Sequence, residues 1–228
     1  MAATGNAVLV VDNSDHRRAG SWFGDCLAGF VEVEIAVRED VKTLRTGWRA
    51  VILTGSERSI FEDADWLAGE LAFARRLLDE GVPVLGVCFG HQLIFRALYG
   101  KDVLTRRALP EVGWVPVKLA SHPAFEGVGE TIRPYNFHFD EVAEIPAGWE
   151  AVASSEACRL HGLCHGELPV LALQFHPEVS PREGVAGIWR GAQLLAGYGL
   201  DAASITAGSK RGRRYPEIVR NFVAAHGR

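Results

Sequence analysis

The chain has 228 residues, of which 48% are hydrophobic and 23% charged, with a formal net charge of -4. That length and balance suit one globular domain with a sizeable core and exclude a disordered tail or a fibrous repeat. The mild acidity gives nucleic acid or an anionic membrane nothing to bind by bulk electrostatics, and neither is expected as a partner.

The opening MAATGNAVLVVD lacks the basic start and long apolar run of a secretory signal, and no apolar stretch is long enough to span a membrane. A cytoplasmic chain is expected. Its four cysteines, Cys26, Cys88, Cys158 and Cys164, are then expected to be reduced.

In chain order, Ala7–Val11 is a short apolar run that reads as a buried strand, and Asp15–Gly29 reads as a helix. Val31–Val37 alternates like a strand with one wet face, and Arg49–Leu53 is another buried strand. Over Asp63–Glu80, Leu67, Leu71, Ala74, Leu77 and Leu78 follow the helical period, with Gly81 as its stop. Val82–Val87 predicts a strand running into Cys88, and Phe89–Tyr99 a helix. Strands and helices in this alternation predict a parallel sheet with helices on both faces.

The second half reads as short strands over Val112–Leu119, Thr131–Phe139, Trp149–Ser154, Arg159–Cys164 and Val170–Gln174. Helices are predicted over Pro181–Tyr198 and Tyr215–His226. With no repeat and no linker, residues 1–228 are expected to form one domain, with a core of about 6–199 and a C-terminal extension over 200–228.

Two segments carry chemistry. In Gly86-Val87-Cys88-Phe89-Gly90-His91-Gln92 a cysteine stands where a buried strand turns into a helix. Such a turn projects the side chain outward, the glycines permit close backbone approach, and the helix N-terminus favours a thiolate. In Gln174-Phe175-His176-Pro177-Glu178, extended chain places His176 and Glu178 on one side, so the carboxylate can fix the imidazole. Either segment alone fits an ordinary strand end or turn. The order nucleophile, histidine, then acid two residues later departs from the hydrolase order, in which the acid precedes the histidine.

Together the two motifs resemble those of the class I, triad-type glutamine amidotransferases, and the similarity runs from the first strand to about Gly199. The resemblance implies a mixed, largely parallel, flavodoxin-like sheet between helices. It also implies that Cys88 attacks the glutamine side-chain amide, His176 shuttles the proton and Glu178 orients His176. Oxyanion-hole amides would come from Phe89 and from the turn at Gly55 and Ser56. There Ser56 and Glu57 stand where the family usually has glycine and proline, as in its stand-alone members. Gln92, with His138, Phe139 and Asp140 in Asn136–Val142, matches family segments that contact the substrate. The His-x-Asp of that segment is similar to the branch holding the glutamine-hydrolysing part of GMP synthetase and its stand-alone relatives.

The resemblance implies a glutaminase acting through a Cys88 thioester, which supplies ammonia to a synthetase on a separate chain. No cofactor is implied. No phosphate-loop motif is present and no length remains for a synthetase domain. Two alternatives remain: a stand-alone peptidase acting on γ-glutamyl peptides or conjugates, and a regulatory protein without catalysis.

Other features take plain readings. Cys158, His161, Cys164 and His165 have zinc-like chemistry, but strand alternation would send them to opposite faces, so no metal site is expected. Lys210, Arg211, Arg213 and Arg214 read as a solvated basic loop, Cys26 as structural, and the six tryptophans as core or near-core residues.

Overall fold

A computed structural model describes residues 5–226. Among the described residues the strands are β1 Val8–Asp12, β2 Val33–Val37, β3 Ala50–Leu53, β4 Val84–Val87, β5 Leu104–Trp114, β6 Val117–Leu119, β7 Thr131–Ile132, β8 Tyr135–Val142, β9 Trp149–Ser154, β10 Gly162–His165 and β11 Val170–Leu173. The helices are α1 Ala19–Leu27, α2 Asp65–Asp79, α3 Phe89–Tyr99, α4 Pro181–Arg190, α5 Ala192–Gly197, α6 Ala202–Ala207 and α7 Pro216–His226.

The main sheet runs β2-β1-β3-β4-β11-β10-β9-β6-β7. Its first five strands pair in parallel and the remainder antiparallel. Strands β5 and β8 form a second, two-stranded antiparallel sheet. The strand period of two divides the core. Val8 and Val10 of β1 pack with Phe23 of α1 and Phe222 of α7, while Leu9 and Val11 join Leu77 of α2 and Phe95 of α3. This is the mixed, largely parallel sheet between two helical layers that the sequence predicts. A third apolar cluster, around Trp114, Tyr135, Ile188 and Leu195, sits where the small sheet meets α4 and α5.

Several predicted elements are corrected. The first helix begins only at Ala19, because Asp12 and Ser14 hold residues 14–20 in a hydrogen-bonded loop. Strand β2 has no clean wet face: it is an edge strand, and its outward residue is Ile35, 50% exposed. The strand predicted from Val112 begins instead at Leu104, where exposed arginines hide the apolar signal, and it breaks before β6. Pro134 separates β7 from β8 within the predicted Thr131–Phe139 strand. The long helix predicted over Pro181–Tyr198 breaks at Gly191, which lies so close to Phe137 that a Cβ would stand 2.9 Å from that ring. Helix α6, capped by Asp201, falls in a stretch with no predicted element. Trp189 is 54% exposed and no core residue. Cys26 is buried, and burial pushes its thiol up to about 12, in keeping with a structural role.

The glycines of α1 and α3 allow a paired test. A Cβ at Gly90 would stand 2.0 Å from the Leu53 carbonyl oxygen, whereas one at Gly24 meets nothing within 4 Å. Gly90→Ala should cost about 3 kcal/mol through overpacking against rigid backbone. Gly24→Ala, in mid-helix, should stabilise by about 0.5–1 kcal/mol. Urea midpoints for the two variants should therefore shift in opposite directions.

Candidate active site at the strand ends

Parallel strands β1, β3, β4 and β11 finish at one edge of the sheet, so the residues just beyond each are brought together. Beyond β4 stands Cys88, at φ 53° and ψ -105°, a left-handed conformation that a non-glycine residue seldom adopts. Its N–H donates to the Leu173 carbonyl at 2.7 Å, pinning the turn to β11. The two glycines around it are forced. At Gly86 a Cβ would meet the Gly90 carbonyl oxygen at 2.6 Å, and Gly90 itself lies against Leu53 and donates to the Thr54 carbonyl at 3.1 Å. Helix α3 therefore starts directly on the sheet, with Cys88 at its N-cap.

Beyond β11 the chain bends toward β8, and the His176 N–H donates to the Tyr135 carbonyl at 2.9 Å. His176 Nδ1 lies 2.7 Å from Glu178 Oε1, the contact that alternation predicts. Glu178 is buried, and its Oε2 has no partner among the described residues. His176 also contacts the Cys88 side chain. Burial alone would push the imidazole pKa down. The Glu178 carboxylate and the Cys88 sulfur outweigh it and hold His176 well above its ordinary value.

Thr54-Gly55-Ser56-Glu57 forms the wall opposite. Gly55 lies so near the imidazole that a Cβ would stand 2.7 Å from His176 Cε1. The hydroxyl of Ser56 accepts from the Arg58 N–H at 3.1 Å and so shapes the turn. Glu57, at the family's proline position, accepts from the Asp15 N–H at 2.7 Å and pairs with His16 at 3.0 Å. A side-chain clamp to the β1 loop thus stands where a proline would stiffen the backbone. Among the described residues, the N–H groups of Gly55, Ser56 and Phe89 have no acceptor.

The third wall is β8. Gln92 spends its amide nitrogen on the Asp140 carbonyl at 2.6 Å and on Gln174 Oε1 at 3.2 Å. Phe139 faces the Arg106 guanidinium at 5.0 Å, and Asp140 takes Ser59 Oγ at 2.6 Å and Arg106 at 2.8 Å. His138 is nearly fully buried, with Nε2 3.0 Å from Glu111 Oε2. The candidate residues Cys88, His176, Glu178, Gly55, Ser56, Phe89, Gln92, His138, Phe139 and Asp140 all line one cavity of about 670 Å³. Sequence reasoning missed Ser59, Arg106, Tyr135, Arg190 and the Glu57 clamp. They reach the cavity through contacts dozens of residues apart, which no local pattern encodes.

The model of the family "Glutamine amidotransferase class-I" matches residues 30–190. This chain belongs to the class I glutamine amidotransferases. It is therefore one of a family of cysteine-dependent amidohydrolases. The amidotransferase is 38% identical over 117 residues to a subunit of the glutamine-hydrolyzing GMP synthase of Thermococcus kodakarensis, a match covering 51% of this chain and 61% of that protein. It is 32% identical over 158 residues to the glutamine-hydrolyzing GMP synthase of Gibberella zeae, covering 67% of this chain and 27% of that protein. The chain thus spans less than two thirds of the length of these relatives. A solved glutamine amidotransferase from Thermotoga maritima superposes with a TM-score of 0.80 at 20% identity, over 97% of this chain and 98% of that one. A second, from Methylobacillus flagellatus, gives 0.72 at 20% identity over 100% and 96%. At that identity the two structures show the shared fold. Among the described residues, no helix is long and apolar enough to cross a membrane.

Because the Cys88 sulfur helps hold the His176 pKa up, Cys88→Ala should lower the His176 titration midpoint, followed by NMR of the ring protons. An unchanged midpoint would mean that the sulfur does not act on the ring. The elevated folded value also fixes a sign for stability. The contribution from His176 is complete below about pH 6.5, the unfolded value, and is lost as pH rises through the folded one.

Proposed function

We propose that this chain, acting as one amidotransferase domain, hydrolyses the side-chain amide of glutamine through a thioester on Cys88. The observation that carries this reading is Cys88 on its left-handed turn in contact with His176, whose far nitrogen is held 2.7 Å from Glu178. Cys88 Sγ attacks the amide carbon, and its proton passes to His176. The C–N bond breaks, His176 gives the proton to the departing nitrogen, and ammonia leaves. Water then enters, His176 takes its proton, and the C–S bond breaks to release glutamate and restore the thiol. Glu178 keeps the imidazole in one tautomer and supports its charged form. The unpaired N–H of Phe89, with that of Gly55 or Ser56, faces the oxygen that gains charge in each addition. Gln92 and the β8 segment His138–Asp140 hold the amino-acid end of the substrate.

The ammonia goes to a synthetase on a separate chain. Supporting this is the likeness to archaeal proteins named as single subunits of GMP synthase, together with a sequence that carries no phosphate-loop motif. The cavity favours a second reading on one point. Ammonia is about the size of water, whose share of liquid volume is about 30 Å³. The cavity of about 670 Å³ extends past His176 to Trp22, Arg190 and Leu194, enough room for the amine of a γ-glutamyl peptide.

A substrate panel on the isolated chain separates the two readings. Glutamine should be turned over and γ-glutamyl dipeptides left intact, whereas the reverse preference would select the peptidase. A glutamine-like electrophile should label Cys88 and abolish turnover, and a label found mainly on Cys26, Cys158 or Cys164 by mass spectrometry would sink the mechanism. Cys88→Ser and His176→Ala should each remove nearly all activity and combine far from additively, while Glu178→Gln keeps a measurable remainder. Ser56→Ala should cost little, since the N–H survives. Ser56→Pro removes the N–H and should lower turnover about a hundredfold or more if that amide serves the oxyanion.

A further inference from the structure

A second set of donors converges away from the Cys88–His176–Glu178 group. Glu111 of β5, His138 of β8, and Cys158 and His161 of the β9–β10 connection each place one ligand-type atom within 4.8 Å of all the others, and all four residues are buried. His138 Nε2 and His161 Nε2 lie 3.0 and 2.6 Å from the same oxygen, Glu111 Oε2. Their rings stand edge to face, 89° apart. Cys158 and His161 lie before β10 and not within it, so the alternation of a strand does not govern them. They are two residues of a tight loop, and Cys164 and His165 on the strand itself are left outside the cluster.

The surroundings are built as well. Ser155 donates its hydroxyl to the other carboxylate oxygen, Glu111 Oε1, at 2.7 Å and accepts from the Cys158 N–H at 2.9 Å. One serine thus fixes both the carboxylate and the cysteine loop. The Nδ1 atoms of His138 and His161 have no partner among the described residues, so no neighbour locks either ring in one tautomer. With the proton on Nε2 each ring donates to Glu111. With the proton on Nδ1 both Nε2 lone pairs point at the space that Glu111 Oε2 and Cys158 Sγ border.

We infer that Glu111, His138, Cys158 and His161 form a structural site for a zinc ion. Two imidazoles, a thiolate and a carboxylate make a four-coordinate donor set of the kind zinc takes in closed sites, and thiolate with imidazole disfavours magnesium and calcium. Zinc–ligand bonds of about 2.0–2.3 Å in a tetrahedron put the donor atoms about 3.4 Å apart. The two shortest separations here, 2.6 and 3.0 Å, need to open by less than an ångström. Charge also balances. Binding breaks the Cys158 S–H bond and releases that proton to solvent, so that one thiolate and one carboxylate cancel the dication within a buried space.

The ion closes a structural link. It joins β5 and β8 of the small sheet to the connection whose His161 carbonyl accepts the Gln174 N–H at 2.8 Å, two residues before His176. It takes no part in the chemistry at Cys88, so metal content and amide hydrolysis can fail independently.

The test is metal analysis of the purified full chain, expressed with zinc supplied and dialysed against metal-free buffer. About one zinc per chain is expected. Cobalt added to the chelator-stripped chain should give the intense visible bands of tetrahedral cobalt–thiolate coordination. Cys158→Ser should abolish those bands and drop zinc to the buffer background, while Cys164→Ser and Cys88→Ser keep both. Zinc should raise the melting temperature of the stripped wild type but not that of Cys158→Ser. A wild-type chain that binds neither zinc nor cobalt would overturn the site and leave a carboxylate held by three neutral donors. Zinc retained in full by Cys158→Ser would overturn it too. Should the variants not fold, the wild-type zinc content and cobalt spectrum decide alone.

Discussion

Gly90 rests against the carbonyl of Leu53 at a distance that leaves no room for even one methyl group, and the candidate site is organised around that contact. It brings the first turn of α3 onto the ends of β3 and β4. The single residue between strand and helix, Cys88, must then turn through a left-handed conformation to join them. The strain has a use, because the side chain of such a residue is presented over the sheet edge and not folded into it. The Gly90 N–H on the Thr54 carbonyl and the Cys88 N–H on the Leu173 carbonyl hold the turn from both neighbouring strands. Nucleophile, oxyanion turn and histidine segment are thereby hung from three adjacent parallel strands, β4, β3 and β11.

Electrostatics then sorts the histidines. His176 keeps a raised pKa against the cost of burial because a carboxylate and a sulfur face it. His91, on the nucleophile helix but fully buried and without a charged partner facing it, is pushed down to about 3 and stays neutral. His138 is also lowered, since burial outweighs its contact with Glu111. Three histidines within one region thus behave differently for reasons that lie in their partners and not in their spacing.

The departures at Ser56 and Glu57 are absorbed by neighbouring contacts. A proline stiffens a turn through its own ring, whereas here Ser56 Oγ on the Arg58 N–H and Glu57 on Asp15 and His16 do so through side chains. The Ser14–His16 loop beyond β1 is thereby joined to the site, which makes the β1 end part of the wall that faces the cavity.

The sequence by itself determined the parallel half of the sheet, the helix after Cys88, and the pairing of His176 with Glu178. Each rests on local rules: an apolar run, the period of a helix, or two residues apart in extended chain. Membership of the amidotransferase family was legible in the same way, because the motifs around Cys88 and His176 are contiguous. Tertiary structure alone decided the rest. The separate β5–β8 sheet was hidden because its arginines are outward on one strand and tied to Asp140 and Glu141 on the other. Gly191 breaks a helix whose local sequence would continue, since Phe137 of a distant strand occupies the space beside it. Cys158 and His161 looked like opposite faces of a strand until the loop placed them beside Glu111 and His138. In each case the deciding force is a contact between residues far apart in the chain, and short-range patterns do not carry that information.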